Sequence, residues 1–406
     1  MDEDQTLAYD MILEGHNICL TGQARTGKSF VIRKAVDELR KRGIRVALTC
    51  STGIGTIVFE SLQACTLHKW ASLEDGRHDN TDLYHLIMTD ERYNKIKGGI
   101  QDAEYFSIDE VLMISGKVLN QVEFIYRKVR GNTTYFGNLT VVLLGDLWQL
   151  PPVKNELYWD FGHHCVNLNW FDTVFAHRIN LNIIHRQCDT MLINAINELE
   201  RGTPSPPTVA FINSLSRPLS EDMENNSVYL FARNIDVDLF NNDKVQGLPG
   251  HMFVFRSEDE GDFHYINKFL ALRNLGLKIG CPVMLLVDLT EELVNGKIGK
   301  VSTILGEEIF VNFSIQNSLK TVKISKYLFS TYVPKDKCIL TKRTQYPLKL
   351  ACSMTIQKSQ GMTLDSSTVD CRNVSNSGQI CVAVGRVRST EVLCVKNFRQ
   401  TLCKFC

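Results

Sequence analysis

The stretch Thr21-Gly-Gln-Ala-Arg-Thr-Gly-Lys-Ser29 has the residue types and spacing needed to hold a polyphosphate. Gly22 and Gly27 bracket four residues and lead directly into Lys28 and Ser29, which is phosphate-loop spacing. Glycines let successive backbone N–H groups close around phosphate oxygens. Lys28 brings a mobile positive charge to the β- and γ-phosphates, and the Ser29 hydroxyl can ligate Mg²⁺. On this reading Gln23, Ala24, Arg25 and Thr26 line the nucleotide with the two glycines, and Gln5, just upstream, is counted with them. A second group that could do chemistry is Asp109-Glu110, which closes the apolar run Tyr105-Phe-Ser-Ile. A strand ending in two carboxylates is ordinarily just a polar strand end. Beside a phosphate loop, Asp109 becomes a Mg²⁺ ligand and Glu110 the base that orients and deprotonates an attacking water.

Three further clusters follow apolar runs. Cys50-Ser-Thr-Gly-Ile-Gly55 comes after Val46 to Thr49, and Thr66-Leu-His-Lys-Trp70 follows ten residues later. Leu139 to Leu144 delivers Gly145-Asp-Leu-Trp-Gln149-Leu-Pro-Pro152, where Gln149 can touch a γ-phosphate and two prolines fix the exit path. The carboxyl edge of a parallel sheet is where such folds bind ligands.

The elements that must position these groups are legible around them. Leu7, Met11, Ile12 and Leu13 sit at helical spacing, with Gln5 at the head, before a strand from Asn17 to Leu20. After Ser29, Phe30, Val31, Ala35, Val36 and Leu39 form an apolar face that stops at Gly43. Strand, loop, helix and strand open a parallel α/β layer. Residues 72–100 are mixed and polar and read as an inserted excursion rather than core. Residues 187–280 read as an ordinary α/β stretch, with a strand from Val228 to Ala232. Residues 300–345 alternate (Val301, Ile304, Ile309, Val311, Phe313, Val322, Ile324) and predict short antiparallel strands.

Composition bounds the rest. A chain of 406 residues fits two to four domains. Lys plus Arg and Asp plus Glu stand at 45 each, so no global basic field exists and any nucleic-acid site must be a local groove. Thirteen cysteines without a framework spacing point to reduced thiols inside a cell. Cys403-x-x-Cys406 lacks the second pair that a zinc site needs. No apolar run approaches the roughly 20 residues of a membrane span, and the acidic start does not read as a targeting signal.

With these residues in place, the chain resembles the Pif (petite integration frequency) family of DNA helicases, in the RecD-like branch of helicase superfamily one. The resemblance rests on Gly22 to Ser29, Ser51-Thr-Gly-Ile54, Thr66-Leu-His68, Ile108-Asp-Glu110 and Gly145 to Pro152. It continues through Ile184-His-Arg186-Gln187, Gly280 to Leu285, Leu293-Val-Asn-Gly296, Pro347-Leu-Lys-Leu-Ala351, Thr355 to Leu364 and Val382-Ala-Val-Gly-Arg386. These motifs run in family order from residue 5 to about residue 398. Three positions depart from the family pattern. Arg25 replaces a glycine, Gln357 a histidine, and Val384-Gly385 a leucine-serine pair. Arg25 either adds charge near the nucleotide or points to solvent, the second being favoured.

The resemblance implies an α/β fold of two tandem RecA-like domains with small inserted subdomains. The first spans 1–172 with an insertion at about 72–100. The second spans 173–406 with an SH3-like β insertion at about 300–345 that grips DNA. It further implies an ATP-dependent DNA helicase that moves 5′-to-3′ on single-stranded DNA and unwinds duplex DNA in replication, repair, recombination or genome maintenance. Lys28, Glu110, Gln149, Arg186 and Arg386 would be catalytic, the two arginines as fingers reaching the γ-phosphate, and Ser29 and Asp109 would hold Mg²⁺. Thr52, Gly53, His68, Lys69, Lys358 and Gln360 would contact DNA, with Trp70 and Trp148 as stacking candidates that are more readily core residues than stackers. Expected partners are single-stranded and forked DNA and replication or single-strand-binding proteins, for a monomer away from membranes. The expected setting is nuclear or at a site of DNA replication, mitochondrial and viral compartments included. A protein-remodelling ATPase, an inactive DNA-binding module and a nuclease-complex subunit are the competing classes. DNA-stimulated hydrolysis separates the first from a helicase.

Overall fold

The computed structural model describes residues 1–74, 76–146, 150–184, 189–315, 318–333, 338–376 and 378–403. The chain forms two compact units, Met1–Arg186 and Gln187–Cys406.

The first unit begins with helix α1 (Glu3–Leu13), followed by β1 (Ile18–Gly22), α2 (Lys28–Lys41), β2 (Val46–Cys50), α3 (Gly53–Val58), β3 (Cys65–Thr66) and α4 (Leu67–Trp70). Helices α5 (Asn80–Thr89) and α6 (Asn94–Asp102) lead to β4 (Tyr105–Asp109), α7 (Gly116–Val129), β5 (Thr140–Gly145), α8 (Phe171–Val174) and β6 (His177–Leu181). The strands form one parallel sheet in the order β3-β2-β4-β5-β1-β6. β1, β4 and β5 read as nearly continuous apolar runs because helices cover both faces of the sheet. On one face, Ala8 and Ile12 of α1 and Val31, Ala35 and Leu39 of α2 pack on Ile18, Leu20 and Leu144. On the other, Leu119, Val122 and Tyr126 of α7 pack on Phe106, Ile108 and Leu143.

Four expectations are corrected in this unit. Leu7 and Phe30 are exposed, because the buried stripe of α1 runs through Gln5, Ala8 and Ile12 and that of α2 through Val31, Ile32, Ala35, Val36 and Leu39. The stretch 72–100 is core as well as excursion. It folds into α5 and α6, and Leu73, Leu83, Ile87 and Ile100 join the cluster under α7. The boundary also lies later than residue 172, since β6 pairs in register with β1 and completes the first sheet.

The second unit opens with α9 (Thr190–Glu200), α10 (Pro206–Ser214) and α11 (Glu221–Asn226), then β7 (Val228–Phe231) and α12 (Asn234–Gly247). A β module follows: β8 (Phe253–Arg256), β9 (Glu258–Gly261), the short helix α13 (Phe263–Ile266), β10 (Asn274–Leu277), β11 (Pro282–Leu285), β12 (Ile298–Leu305), β13 (Glu308–Ile315), β14 (Ser318–Ile324), β15 (Tyr327–Val333), β16 (Cys338–Gln345) and β17 (Leu348–Leu350). The chain ends with β18 (Ser353–Thr355), β19 (Ser367–Asp370), α14 (Gln379–Val384) and β20 (Leu393–Lys396). The last strands and β7 make a parallel sheet, β18-β7-β19-β20.

The β module contains an antiparallel sheet β14-β13-β12-β11-β17 and smaller sheets β15-β16-β9 and β10-β8. The alternation predicted for 300–345 is real: Val301, Ile304, Ile309, Val311 and Phe313 are buried together. The module is wider than expected, however. A hairpin face cannot bury itself, so β8 and β10, from the stretch read as ordinary α/β, and β11 and β17, outside the predicted 300–345, supply Phe255, Leu275, Val283 and Leu348 to the same core. Among the described residues no helix is long and apolar enough to cross a membrane.

Candidate nucleotide site and nucleic-acid contacts

The phosphate loop connects β1 to α2 in the first unit. Gly22 has φ +148°, and a Cβ there would stand 2.7 Å from both the Leu181 carbonyl oxygen and Thr26 Oγ1. Only glycine fits. Gly27 caps α2 in the left-handed region at φ +92°. Arg25 adopts φ +73°, a conformation that strains a residue with a Cβ and explains why glycine is usual there. Its side chain is half-buried rather than simply directed to solvent.

Two groups hold the loop from inside. Gln5, 2% exposed, donates from its Nε2 to the Thr26 carbonyl at 2.9 Å. The same side chain completes a capping box with Asp2, whose backbone N–H it accepts at 3.3 Å. Lys28 is buried and folds back so that Nζ donates to the carbonyls of Gly22 at 2.5 Å and Gln23 at 2.9 Å. Its ammonium therefore sits at the centre of the loop.

The carboxylate edge meets the loop across the sheet. Ser29 Oγ lies 3.4 Å from Asp109 Oδ2 although the residues are 80 apart in sequence. Asp109 Oδ1 accepts the backbone N–H of Glu110 at 2.9 Å. Burial pushes the Asp109 carboxyl above the usual carboxylate range, while Lys28 and these hydrogen bonds pull it down. Glu110 turns into the left-handed region at φ +56° as the strand ends. Cys50, on the neighbouring strand, has its thiol pushed up by burial and by the charges of Asp109 and Glu110, so it is inert here.

A hydroxyl beside a carboxylate is a hard oxygen pair suited to Mg²⁺, which keeps waters and phosphate oxygens as its other ligands. Among the described residues no three His, Cys, Asp or Glu side chains gather as a metal cluster, so such an ion would rest on Ser29, Asp109 and the substrate. Cys406 of the terminal Cys-x-x-Cys lies outside the described residues.

The other expected residues divide into groups. Thr52 caps α3, accepting the Gly55 N–H at 3.1 Å, and Gly53 is buried in the first turn of that helix. Lys69 is exposed and His68 half-buried on α4, at the carboxyl end of β3. Trp70 is partly buried against the core cluster and its Nε1 donates to the Tyr126 hydroxyl. In the second unit, Lys358 is half-buried and Gln360 is 2% exposed, both following β18. Arg386, 5% exposed, follows α14. Its Nε donates to the Val382 carbonyl at 2.8 Å, and its backbone carbonyl accepts from Leu364 at 2.8 Å. Trp148, Gln149 and Arg186 lie outside the described residues. Lys349, which has no role in the sequence reading, turns out to be a buried lysine lining a cleft with Lys358. Its one signal is a lone charge between Leu348 and Leu350 in an apolar run.

A family model described as PIF1-like helicase matches residues 1–165. The ATP-dependent DNA helicase Pif1 of Bdellovibrio bacteriovorus is 30% identical over 97% of this chain and 87% of its own length. The ATP-dependent DNA helicase PIF1 of Emericella nidulans is 28% identical over 96% of this chain. This chain spans only 59% of that relative's length, and 65% of the Saccharomyces cerevisiae helicase RRM3. Among solved structures, Pif1 helicase from Candida albicans superimposes with a TM-score of 0.87 at 29% identity, covering 100% of this chain and 96% of that one. Bacteroides Pif1 bound to ssDNA superimposes with a TM-score of 0.82 at 25% identity, covering 99% and 93%. Tandem RecA-like units, a phosphate loop facing a strand-end carboxylate pair, and a relative matched along nearly its whole length lead to one conclusion: the chain belongs to the PIF1-like helicase family.

Proposed function

We propose that this protein is an ATP-driven helicase that moves along single-stranded DNA and displaces the complementary strand. The observation that carries the reading is the 3.4 Å approach of Ser29 to Asp109 at the mouth of a loop whose lysine is already buried at its centre. That arrangement can bind a nucleoside triphosphate through backbone amides and neutralise its terminal phosphates through Lys28. Mg²⁺, held by Ser29 and Asp109, would supply charge neutralisation at the β- and γ-oxygens. Glu110 orients the attacking water and takes its proton, and Gln149 is assigned to touch the γ-phosphate. Arg186 and Arg386 are assigned as fingers whose positive charge reaches the γ-phosphate only in the assembled state, a contribution typically worth about 10³ to 10⁵ in rate.

On the DNA side, the printed names of the relatives specify DNA helicases, and the Bacteroides protein binds ssDNA. We assign strand contacts in this chain to Thr52, Gly53, His68 and Lys69 on the first unit and to Lys358 and Gln360 on the second. The contacts are to backbone phosphates, which give affinity without sequence preference. Domain limits of 1–186 and 187–406, with an SH3-like grip inside the β module, follow the same reading. So do 5′-to-3′ polarity, a place in replication, repair or recombination, and single-strand-binding proteins as partners. ATPase turnover with and without single-stranded DNA, followed by strand displacement on duplexes bearing a 5′ or a 3′ tail, tests it. Stimulated hydrolysis with unwinding of the 5′-tailed substrate is the expected result. Hydrolysis indifferent to DNA would overturn the helicase reading.

A further inference from the structure

We propose that Cys281 and Cys352 are a modification site, two facing thiols that a small-molecule disulfide closes into a reversible bond between the β module and the parallel sheet. Both cysteines are free. Their placement follows from the ladder between β11 and β17, where Val283 pairs with Leu350, Met284 with Lys349 and Leu285 with Leu348. The Ala351 N–H donates to the Pro282 carbonyl at 2.9 Å, so the ladder runs one pair further and sets Cys281 opposite Cys352. Hydrogen bonds alternate along an antiparallel ladder. Because Pro282 and Ala351 share one, the next pair, Cys281 and Cys352, is of the non-hydrogen-bonded kind, whose Cα atoms approach to about 4.5 Å. A disulfide spans Cα separations of roughly 4.4 to 6.8 Å. The two side chains also point the same way: Cys281, Val283, Leu285, Leu348 and Leu350 all enter one core, and Cys352 packs against it.

Access sets the order of reaction. Cys281 is 0% exposed and Cys352 is half-buried, so an oxidant meets Cys352 first. Burial pushes the Cys281 thiol up to about 11 and raises Cys352 as well, while Lys244 of α12 draws Cys352 back down and keeps it the readier of the two. The Cys352 thiolate attacks one sulfur of the small disulfide, forming a mixed disulfide and expelling one small thiolate. The Cys281 thiolate then attacks the Cys352 sulfur from inside, the intramolecular S–S bond forms, and the second small thiolate leaves. The two cysteine thiols have given up two protons and two electrons, and the small disulfide, reduced to two thiols, has taken them. The new bond joins two parts of the second unit. On one side, the Cys281 carbonyl accepts the Val301 N–H of β12 at 3.0 Å, inside the β module. On the other, the Cys352 carbonyl accepts the Tyr229 N–H of β7 at 3.1 Å, and Asn241 of α12 grips the adjoining Ser353 through both its N–H and its carbonyl. Closing the pair staples the module to the sheet, and the cohesion of this unit then follows the redox state of its surroundings.

The test uses the full chain, incubated with oxidised glutathione, quenched with N-ethylmaleimide and digested with trypsin. Peptides 279–297 and 350–358 each hold one cysteine, so their disulfide-linked pair is diagnostic. It should form, and dithiothreitol should release it. Oxidation should raise the Tm of the second unit by about 4 to 16 °C, because the bond closes a long loop in the unfolded chain. Cys352→Ala should show neither the linkage nor the shift. Cys338 is exposed and takes up glutathione in both proteins, so the difference between them isolates the pair. A glutathione adduct that persists on Cys352, linkage of either peptide to a different cysteine, or an unchanged or lower Tm on closure overturns the site. Should Cys352→Ala fail to fold, the linked peptides and the Tm of the oxidised parent before and after dithiothreitol decide alone.

Discussion

Gln5 offers a way to separate holding the phosphate loop from holding the nucleotide. Its amide is buried and donates to the Thr26 carbonyl at 2.9 Å, and it also accepts the Asp2 backbone N–H at 3.3 Å. Gln5→Leu keeps the volume and removes both bonds. Leaving the Thr26 carbonyl unsatisfied in a buried site costs about 1 to 3 kcal/mol. The longer capping-box bond adds a few tenths, on the order of the weak end of helix-cap effects. For a unit of roughly 150 to 250 residues, each kcal/mol lowers Tm by about 2 to 4 °C. Thermal melting without nucleotide should therefore show the first unit unfolding earlier by about 3 to 13 °C, on the same scaling. ATP titration should show weaker binding as well, because an unpinned loop must be ordered before its amides can converge on phosphate. A variant that melts with the parent yet loses ATP affinity would refute the reasoning, since Gln5 would then act on the ligand alone.

Other outcomes follow from the same geometry. Lys28→Ala should abolish ATP hydrolysis with the fold retained, as read by turnover and circular dichroism; parental turnover would remove the phosphate-loop assignment. Glu110→Gln should bind ATP with Mg²⁺ but hydrolyse it far more slowly, because Asp109 and Ser29 keep the metal while the water loses its base; loss of nucleotide binding instead would exchange the roles of the two carboxylates. Arg386→Ala should lower kcat with little change in KM and leave single-strand affinity within about tenfold, or about 1.4 kcal/mol, of the parent. In the β module, Arg343 grips Asp259 with two 2.7 Å bonds while donating to the Ala271 carbonyl, and it holds the Asp259 carboxyl below its ordinary value. A depressed carboxyl contributes stability that is full above the unfolded value of about 3.9 and is lost as pH falls through the lower folded value. Asp259→Asn should remove that acid-side dependence and cost about 3 to 5 kcal/mol at neutral pH, because it strands a buried guanidinium; urea titrations at several pH values check both.

The sequence alone was enough for the phosphate loop, the strand-end carboxylate pair and the elements that carry them. The glycine spacing from 22 to 27, the strand ending at Asp109-Glu110 and the alternation after Val301 each express a local rule: backbone sterics, a short apolar run, a period of two. Such rules act within a few residues, so they survive without a fold. Tertiary structure decided whatever depends on partners far apart in the chain. The spacing of Lys28 could not say that it would fold onto the carbonyls of Gly22 and Gln23. Nor could it bring Ser29 to Asp109 across 80 residues. The polar tone of 72–100 concealed Leu83, Ile87 and Ile100, which are core only because α7 lies beneath them. A boundary at 172 put His177 to Leu181 in the second domain, whereas its pairing with β1 puts it in the first sheet. Lys349 was one charge in an apolar run, and its burial beside Asp238 exists only once β17 and α12 are packed together. Composition and periodicity report what a segment can bury; which surface buries it, and therefore which charges meet, is a long-range result of packing.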